Sequence, residues 1–461
     1  MKAKLLNTLL LLTSFIGYLE WGKDQNVFLA VAEWDILKKI VQNKLFKVTS
    51  LNSISILIRI ITGFVSSKAI AYFIGPSGMA LMGNLRSFTS TIENIGILGL
   101  QNGIVQNCAK NQENKEQLNN WVASLFWIFF ILSLALSLLV FLGNGFFGKQ
   151  IFGSTFDYHF VLNFIAFVIP FQVLHLFFVA ILNGFSEYKK VTAISVYSYV
   201  AGLLISLFLM WKYGINGALI SISVLSVFQF LFSGYYFVQH FSFQLILLNR
   251  KIDFRSIKHL LPLGLMTLFS AVLSPIIYIF IRNLLSREVS LDAAGHFEAM
   301  QRISGFYMMF ITTLITFYFL PELTKAKSLD KERKLTFAFY KGIIPIFGFG
   351  LVLIYFLRNF VIQVLLTKEF ESVSDLFLWQ LLGDFFRALS LILGIRFYAK
   401  KMMKDYFVTE IVSFTVLFSS SYLLIPKLGS EGAVMAYAIT YGVYFVVLLI
   451  YFRELIYVKK P

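Results

Sequence analysis

From residue 49 onward, long apolar runs alternate with short polar connections, and the runs keep a nearly constant length. Each holds about 20 residues, enough for a helix to cross a hydrocarbon core of about 30 Å. The pattern predicts twelve spans: 51–74, 78–105, 120–142, 158–182, 190–211 and 215–239, then 258–285, 292–320, 335–357, 372–396, 404–425 and 431–452. A membrane β-barrel would show short alternating strands instead of continuous apolar runs. The expected fold is therefore an all-α polytopic membrane protein whose twelve-helix core forms two six-helix bundles. Residues 1–48 precede that core as an N-terminal helical extension. Within it, Met1-Lys-Ala-Lys and the apolar stretch Leu5 to Leu19 resemble the start of a signal peptide, and residues 24–47 form a basic amphipathic segment. An inserted helix, an interfacial helix and a removed leader all fit that extension.

One stretch departs from the apolar rule. Residues 74–100, IGPSGMALMGNLRSFTSTIENIGILGL, open on a Gly-Pro-Ser-Gly turn and run into a span carrying Arg86, Glu93 and Asn94. On a helix, Leu81, Leu85, Phe88, Ile92 and Ile95 share one face, while Arg86, Ser87, Ser90, Thr91, Glu93 and Asn94 share the other. Ionised side chains at bilayer depth are costly and normally face a bundle interior or a wet cavity. This span is expected to line a cavity, with Arg86 about two turns, roughly 12 Å, past the start of the span at Gly78 that follows the Gly75-Pro76 turn.

Composition agrees with the pattern: 58% of the 461 residues are hydrophobic, 14% are charged, 52 are Phe, and the mean hydropathy is +0.76. A net charge of +16 would suit nucleic acid, but its placement argues for orientation in a membrane. Alternate connections hold 24 Lys and Arg, and the others hold six: Lys149, Lys212, Arg287, Arg358, Lys368 and Lys427. By the positive-inside rule both ends of the twelve-span core then lie in the cytoplasm, with 240–257 as a basic cytoplasmic connector and 456–461 as a basic tail. One cysteine, Cys108, and no zinc-like Cys/His spacing leave no metal site and no cofactor expected. Gly143-Asn-Gly-Phe-Phe-Gly-Lys149 nearly fits a phosphate-binding loop, but Gln150 stands where Ser or Thr is required and no strand precedes it.

The chain also repeats itself. Phe171-Gln-Val-Leu-His recurs as Trp379-Gln-Leu-Leu-Gly at an offset of 208, and Lys212-Tyr-Gly-Ile-Asn-Gly-Ala as Lys427-Leu-Gly-Ser-Glu-Gly-Ala at 215. Arg86 pairs with Arg302 at 216. Two repeats of six spans share one orientation, so the expected domains are 49–239 and 258–455, related by an axis along the membrane normal with a site between them.

The ionisable residues read at depth are Arg59, Lys68, Arg86, Arg282, Arg302, Lys341 and Arg387 against Glu93, Glu298 and Asp384, with His175. Surplus cations in a wet cavity would attract an anion, and arginine grips phosphate bidentately. Arg59, Lys68, Asn84, Arg86 and Arg302 are the candidate substrate-binding set. Glu93, Asp384 and His175 are the candidates for ion coupling, with His175 and Asp384 expected near each other. The bland readings are local pairs, Asp384 with Arg387 and Glu298 with Arg302, snorkelling of Arg59 and Lys341, and a plain hydrogen bond at His175.

The run Gly75-Pro-Ser-Gly-Met-Ala-Leu-Met-Gly-Asn-Leu, with the duplicated twelve-span layout, resembles the Wzx-type O-antigen and lipid-linked oligosaccharide flippases, in particular the lipid III flippase group. These belong to the polysaccharide-export branch of the MATE-like superfamily. The likeness covers about residues 49–455 and lies more in layout than in letters. It implies a carrier of the bacterial inner membrane that turns undecaprenyl-diphosphate-linked oligosaccharide from the cytoplasmic to the periplasmic leaflet. Membrane lipids, a glycan polymerase and chain-length machinery are the implied partners, and nucleic acid is not. Two alternatives remain at this point: a MATE-type exporter of small organic cations, which would favour an acidic cavity, and a membrane-embedded glycan polymerase, which would use a sizeable outer loop.

Overall fold

The computed structural model describes residues 44–111, 113–153, 158–239, 241, 255–258 and 260–456. Two compact units divide the chain, Met1–Ile54 and Ser55–Pro461. Of the first, only 44–54 are described, as helix, so the extension's apolar helix and most of its basic segment lie outside the described residues. The second unit holds the spans. Among its described residues, nine helical stretches are long and apolar enough to cross a membrane.

Helix α1 runs Lys44–Gly96 and continues, after a break, as α2, Gln101–Lys110. Then come α3 (Lys115–Leu142), the short α4 (Asn144–Phe152), α5 (His159–Gly184) and α6 (Tyr188–Val238). The second half has α7 (Leu261–Glu288) and α8 (Leu291–Leu314), which passes through a π-helical turn into α9 (Leu320–Lys325). It closes with α10 (Leu329–Phe356), the short α11 (Arg358–Leu365), a 3₁₀ segment Lys368–Leu376, α12 (Phe377–Ala399) and α13 (Met403–Tyr451).

Three of the long helices are in fact hairpins. α1, α6 and α13 each contain one non-helical residue, Gly75, Gly214 and Gly429, at φ of 64°, 54° and 57°. In α6, Ser206 Oγ donates to Ser221 Oγ at 3.1 Å and Gly202 packs on Leu225, so the two arms run antiparallel about Gly214. At the tips, a Cβ on Gly217 or Gly432 would sit 1.9 or 2.5 Å from the carbonyl of Leu209 or Leu424. The repeated Gly-x-x-Gly therefore supplies both the left-handed residue that L side chains avoid and the close backbone approach that follows it. Nine stretches and three reversals give the twelve spans that the hydrophobic pattern predicts.

One continuous apolar core runs through both halves, and helix packing is densest within each. In the first, α5 lies between α3 and α6, with Phe178 and Phe237 stacked at 4.3 Å. In the second, α12 packs on α13 and α10, and α7 on α13. Large apolar side chains such as Leu142, Phe167, Phe349 and Phe356 are exposed on the outside, as lipid-facing positions are. The chain is an all-α, multi-pass membrane protein.

Candidate functional site: a basic cavity beside an interlobe seam

The halves meet along α1, α7 and α8, and their contacts obey one register. Arg282 Nη2 donates to Ser87 Oγ at 2.5 Å, and Arg302 Nη1 donates to Ser67 Oγ at 3.3 Å. Ser67 and Arg282 are 215 residues apart, and so are Ser87 and Arg302. Each bond is thus the other's image in the opposite half. Ser77, which donates to Asp292, and Gly83, on whose face Glu298 packs, are also 215 from their partners, so the axis passes between them. The sequence match of Arg86 with Arg302 at 216 is therefore one residue out of register: Arg302 is equivalent to Ser87.

Two reciprocal caps complete the seam. Lys68 Nζ donates to the carbonyls of Gln363, at 2.7 Å, and Leu366, at the C-terminus of α11. Its equivalent, Asn283, donates to the carbonyl of Gln150 at 2.7 Å, and Asn84 to that of Ile151 at 2.8 Å, both in the last turn of α4. Helix C-termini carry unpaired carbonyls and a partial negative charge, which suits amide and ammonium donors. The near-phosphate-loop sequence is thus a short helix whose final carbonyls are held by Asn283 from the opposite half and by Asn84 from its own. Lys68 and Asn84, expected in the substrate site, belong to this seam and line neither cavity described below.

Arg282 is the centre of the seam. Its side chain is 3% exposed. Nη1 reaches Glu298 Oε2 at 2.8 Å, Nε reaches Asn84 Oδ1 at 2.7 Å and Nη2 reaches the Gly83 carbonyl at 3.2 Å. Glu298 is shared, because its Oε1 also lies 3.5 Å from Arg302 Nε. The expected Glu298–Arg302 pair exists, but Arg282 holds the carboxylate more closely.

Beside the seam opens a cavity of about 590 Å³, lined from both arms of α1 and α6 and from α8. Arg59, Arg86, Glu93 and Arg302 all face it, so four of the predicted site residues come together. Serine and threonine hydroxyls, such as Ser66, Thr89 and Ser90, fill much of the remaining wall. Arg86 is exposed to the cavity and has no hydrogen bond or ion pair from its guanidinium among the described residues; Glu298 acts on it only through space. Arg302 is 10% exposed, and its buried Nη2 has no hydrogen-bond partner. Glu93 faces the same cavity without an ion pair among the described residues, so it is not the direct counter-ion of Arg86.

The other two ion-coupling candidates are placed elsewhere. His175 Nδ1 lies 3.1 Å from Ser233 Oγ inside the first half, the plain hydrogen bond of the bland reading. Asp384 is fully buried in the second half and accepts from Ser304, Tyr307, Gln380 and Tyr437. Each sits within its own bundle, so they do not meet as expected. Asp384 and Arg387 are also not a direct pair: Arg387 Nη1 donates to the Tyr437 hydroxyl at 3.1 Å, and that hydroxyl donates to Asp384 at 2.7 Å.

A second cavity, about 460 Å³, lies in the other half between α7, α12 and α13 and touches α1 at Ser90 and Asn94. Its polar groups centre on Arg387 and Glu410, with tyrosines around them. The sequence reading passed over Glu410. The available signal was a carboxylate inside span 404–425 followed by a span whose Tyr437, Tyr441 and Tyr444 share one face at i, i+4 and i+7; in the structure Tyr444 bonds Glu410.

The family model of the polysaccharide biosynthesis protein matches residues 45–327. The chain belongs to this family. The lipid III flippase of Escherichia coli (strain K12) is 28% identical over 398 residues, covering 85% of this chain and 94% of that protein, and the lipid III flippase of Shigella flexneri matches equally. Among solved structures, an inward-facing MATE multidrug transporter of the MOP superfamily has a TM-score of 0.70 at 13% identity, over 88% of this chain and 96% of that one. The lipid II flippase MurJ in an inward closed conformation has a TM-score of 0.65 at 17% identity, over 89% and 88%. These structural likenesses show the fold alone: an all-α polytopic architecture shared with those transporters.

Proposed function

We propose that the chain is a flippase of the bacterial inner membrane that carries undecaprenyl-diphosphate-linked oligosaccharide from the cytoplasmic to the periplasmic leaflet. The carrying observation is the pair of arginines in the first cavity. Among the described residues, the Arg86 guanidinium has no hydrogen-bond or ion-pair partner, and Arg302 is held by one hydroxyl and a shared carboxylate while its buried Nη2 makes no hydrogen bond. A buried donor without a partner is costly, and a diphosphate supplies the acceptors. Arg59 adds a third cation to the wall against the single carboxylate of Glu93. An organic cation would be repelled by that balance, which disfavours the multidrug alternative. The polyprenyl tail stays in lipid while the headgroup occupies the cavity. The flipped unit would then pass to a periplasmic glycan polymerase and its chain-length machinery, and the protein acts as a transporter and not as an enzyme.

The positive-inside count places Gly75 on the periplasmic side and both ends of the 49–455 core in the cytoplasm. The seam of Ser77, Asp292, Lys68, Asn283 and Arg282 then closes the periplasmic side, and alternating access requires it to part. Glu93, facing the cavity, is the member of the coupling set best placed to exchange a proton with bound substrate.

The seam gives a direct test. With Ser77→Cys and Asp292→Cys joined by a short bis-thiosulfonate linker that forms a disulfide at each cysteine, reconstituted protein should stop translocating lipid-linked oligosaccharide, and reduction of those disulfides should restore it. The native Cys108 is buried and would not compete for the reagent. Undiminished translocation by linked protein would refute alternating access through this seam.

A further inference from the structure

The diphosphate reading leaves the headgroup's sugars without a seat, and the second cavity has the chemistry for them. We infer that this cavity, built on Tyr441, Tyr444, Arg387 and Glu410, binds the glycan of the transported lipid and selects hydroxyl-rich sugar over the bare diphosphate carrier; the inference rests on the proposal above. Two separate observations lead to it.

The first is the route between the cavities. Arg86, Ser90 and Asn94 stand at i, i+4 and i+8 on one face of α1. Arg86 lines the first cavity, Ser90 lines both, and Asn94 lines the second. One step along this row is four residues, about 6 Å, comparable with the distance from a phosphate to the ring of the sugar it carries. A diphosphate on Arg86 therefore directs its first sugar past Ser90 and the following ones into the second cavity.

The second observation is the lining itself. Glu410 is fixed by Tyr444, whose hydroxyl donates to Oε1 at 2.9 Å, and by Ser270, which donates to Oε2 at 3.0 Å. A carboxylate held by one donor on each oxygen keeps lone pairs for the vicinal hydroxyls of a sugar. Arg387 commits Nη1 to Tyr437 and stacks over the Tyr441 ring at 5.5 Å, which leaves most of its five N–H donors for sugar oxygens. Tyr441 lines the cavity beside Arg387, with the Tyr437 ring edge-on to it at 4.8 Å, and its ring adds aromatic surface for the C–H side of a pyranose. Fixed carboxylate, planar donor and aromatic platform are the three elements that hold a polyhydroxylated ligand, and a lipid tail or small organic cation would use few of them.

Binding of two probes to purified protein in nanodiscs tests this: undecaprenyl diphosphate without sugar, and undecaprenyl-diphosphate-linked oligosaccharide. Wild type should hold the glycan-bearing probe at least about tenfold more tightly, the worth of one or two hydrogen bonds to charged groups. Glu410→Gln and Tyr441→Leu should lose that preference, keep wild-type affinity for the sugar-free probe, and keep the wild-type melting temperature. Arg86→Ala should weaken both probes alike. If wild type binds both probes equally, or if the two variants retain the preference, the glycan seat is wrong and the diphosphate seat stands. If wild type binds neither probe, the diphosphate proposal itself falls and the glycan seat falls with it.

Discussion

Arg86→Ala and Arg302→Ala should each slow translocation of lipid-linked oligosaccharide by about 10–100-fold, the kinetic worth of one charge-assisted contact of about 1.5–3 kcal/mol. Both variants should still insert and fold. Among the described residues the Arg86 guanidinium has no hydrogen-bond or ion-pair partner to abandon, so its loss leaves none of them orphaned. Removing Arg302 leaves Glu298 with its stronger contact, the 2.8 Å bond to Arg282. Arg86→Lys should recover only part of the rate, because an ammonium keeps the charge but not the bidentate fork that matches phosphate oxygens. Flux in proteoliposomes, normalised to inserted protein, checks the prediction, and wild-type flux in both alanine variants would remove these arginines from the substrate site.

Arg282→Ala should behave in the opposite way, lowering stability first. The change strips Glu298 of its main partner inside a buried seam and leaves Asn84 Oδ1 without the Nε donor. Breaking one side of a buried ion pair costs about 3–5 kcal/mol, because the remaining charge stays desolvated. The thermal unfolding midpoint in detergent should fall sharply, and Arg282→Ala combined with Glu298→Gln should recover much of the loss by removing the stranded charge. A melting curve unchanged from wild type would show that the seam carries no load. Three arginines within one region thus divide by role: Arg86 faces the cavity, Arg282 joins the halves, and Arg302 lines the cavity while also bonding Ser67 across the seam.

The periodicity of apolar runs was enough to place all twelve spans, because lipid imposes one length and one polarity on every crossing. It could not show that connections near 75, 214 and 429 reduce to single glycines, or that connections 143–157 and 358–371 contain α4 and α11. Such short helices carry little periodic signal, and their last carbonyls are capped by Lys68 and Asn283 from the opposite half and by Asn84 from the distant α1. The cavity residues Arg59, Arg86, Glu93 and Arg302 were legible since a charge at bilayer depth needs a polar surrounding. Lys68 and Asn84 satisfied the same criterion through protein partners nearly 300 and 200 residues away, which spacing along one helix cannot disclose. Arg282 was undervalued for the same reason. The repeat was detectable, but its register became clear only from contacts that mirror each other, Ser67 with Arg302 and Ser87 with Arg282.

The central claim is that the basic cavity moves a prenyl-diphosphate glycan. Purified protein in liposomes, offered undecaprenyl-diphosphate-linked oligosaccharide on one leaflet and, in parallel, a lipophilic organic cation, tests it most directly. The account predicts that the glycan lipid crosses to the opposite leaflet and the cation does not. Transport of the cation with the glycan lipid left in place would contradict it.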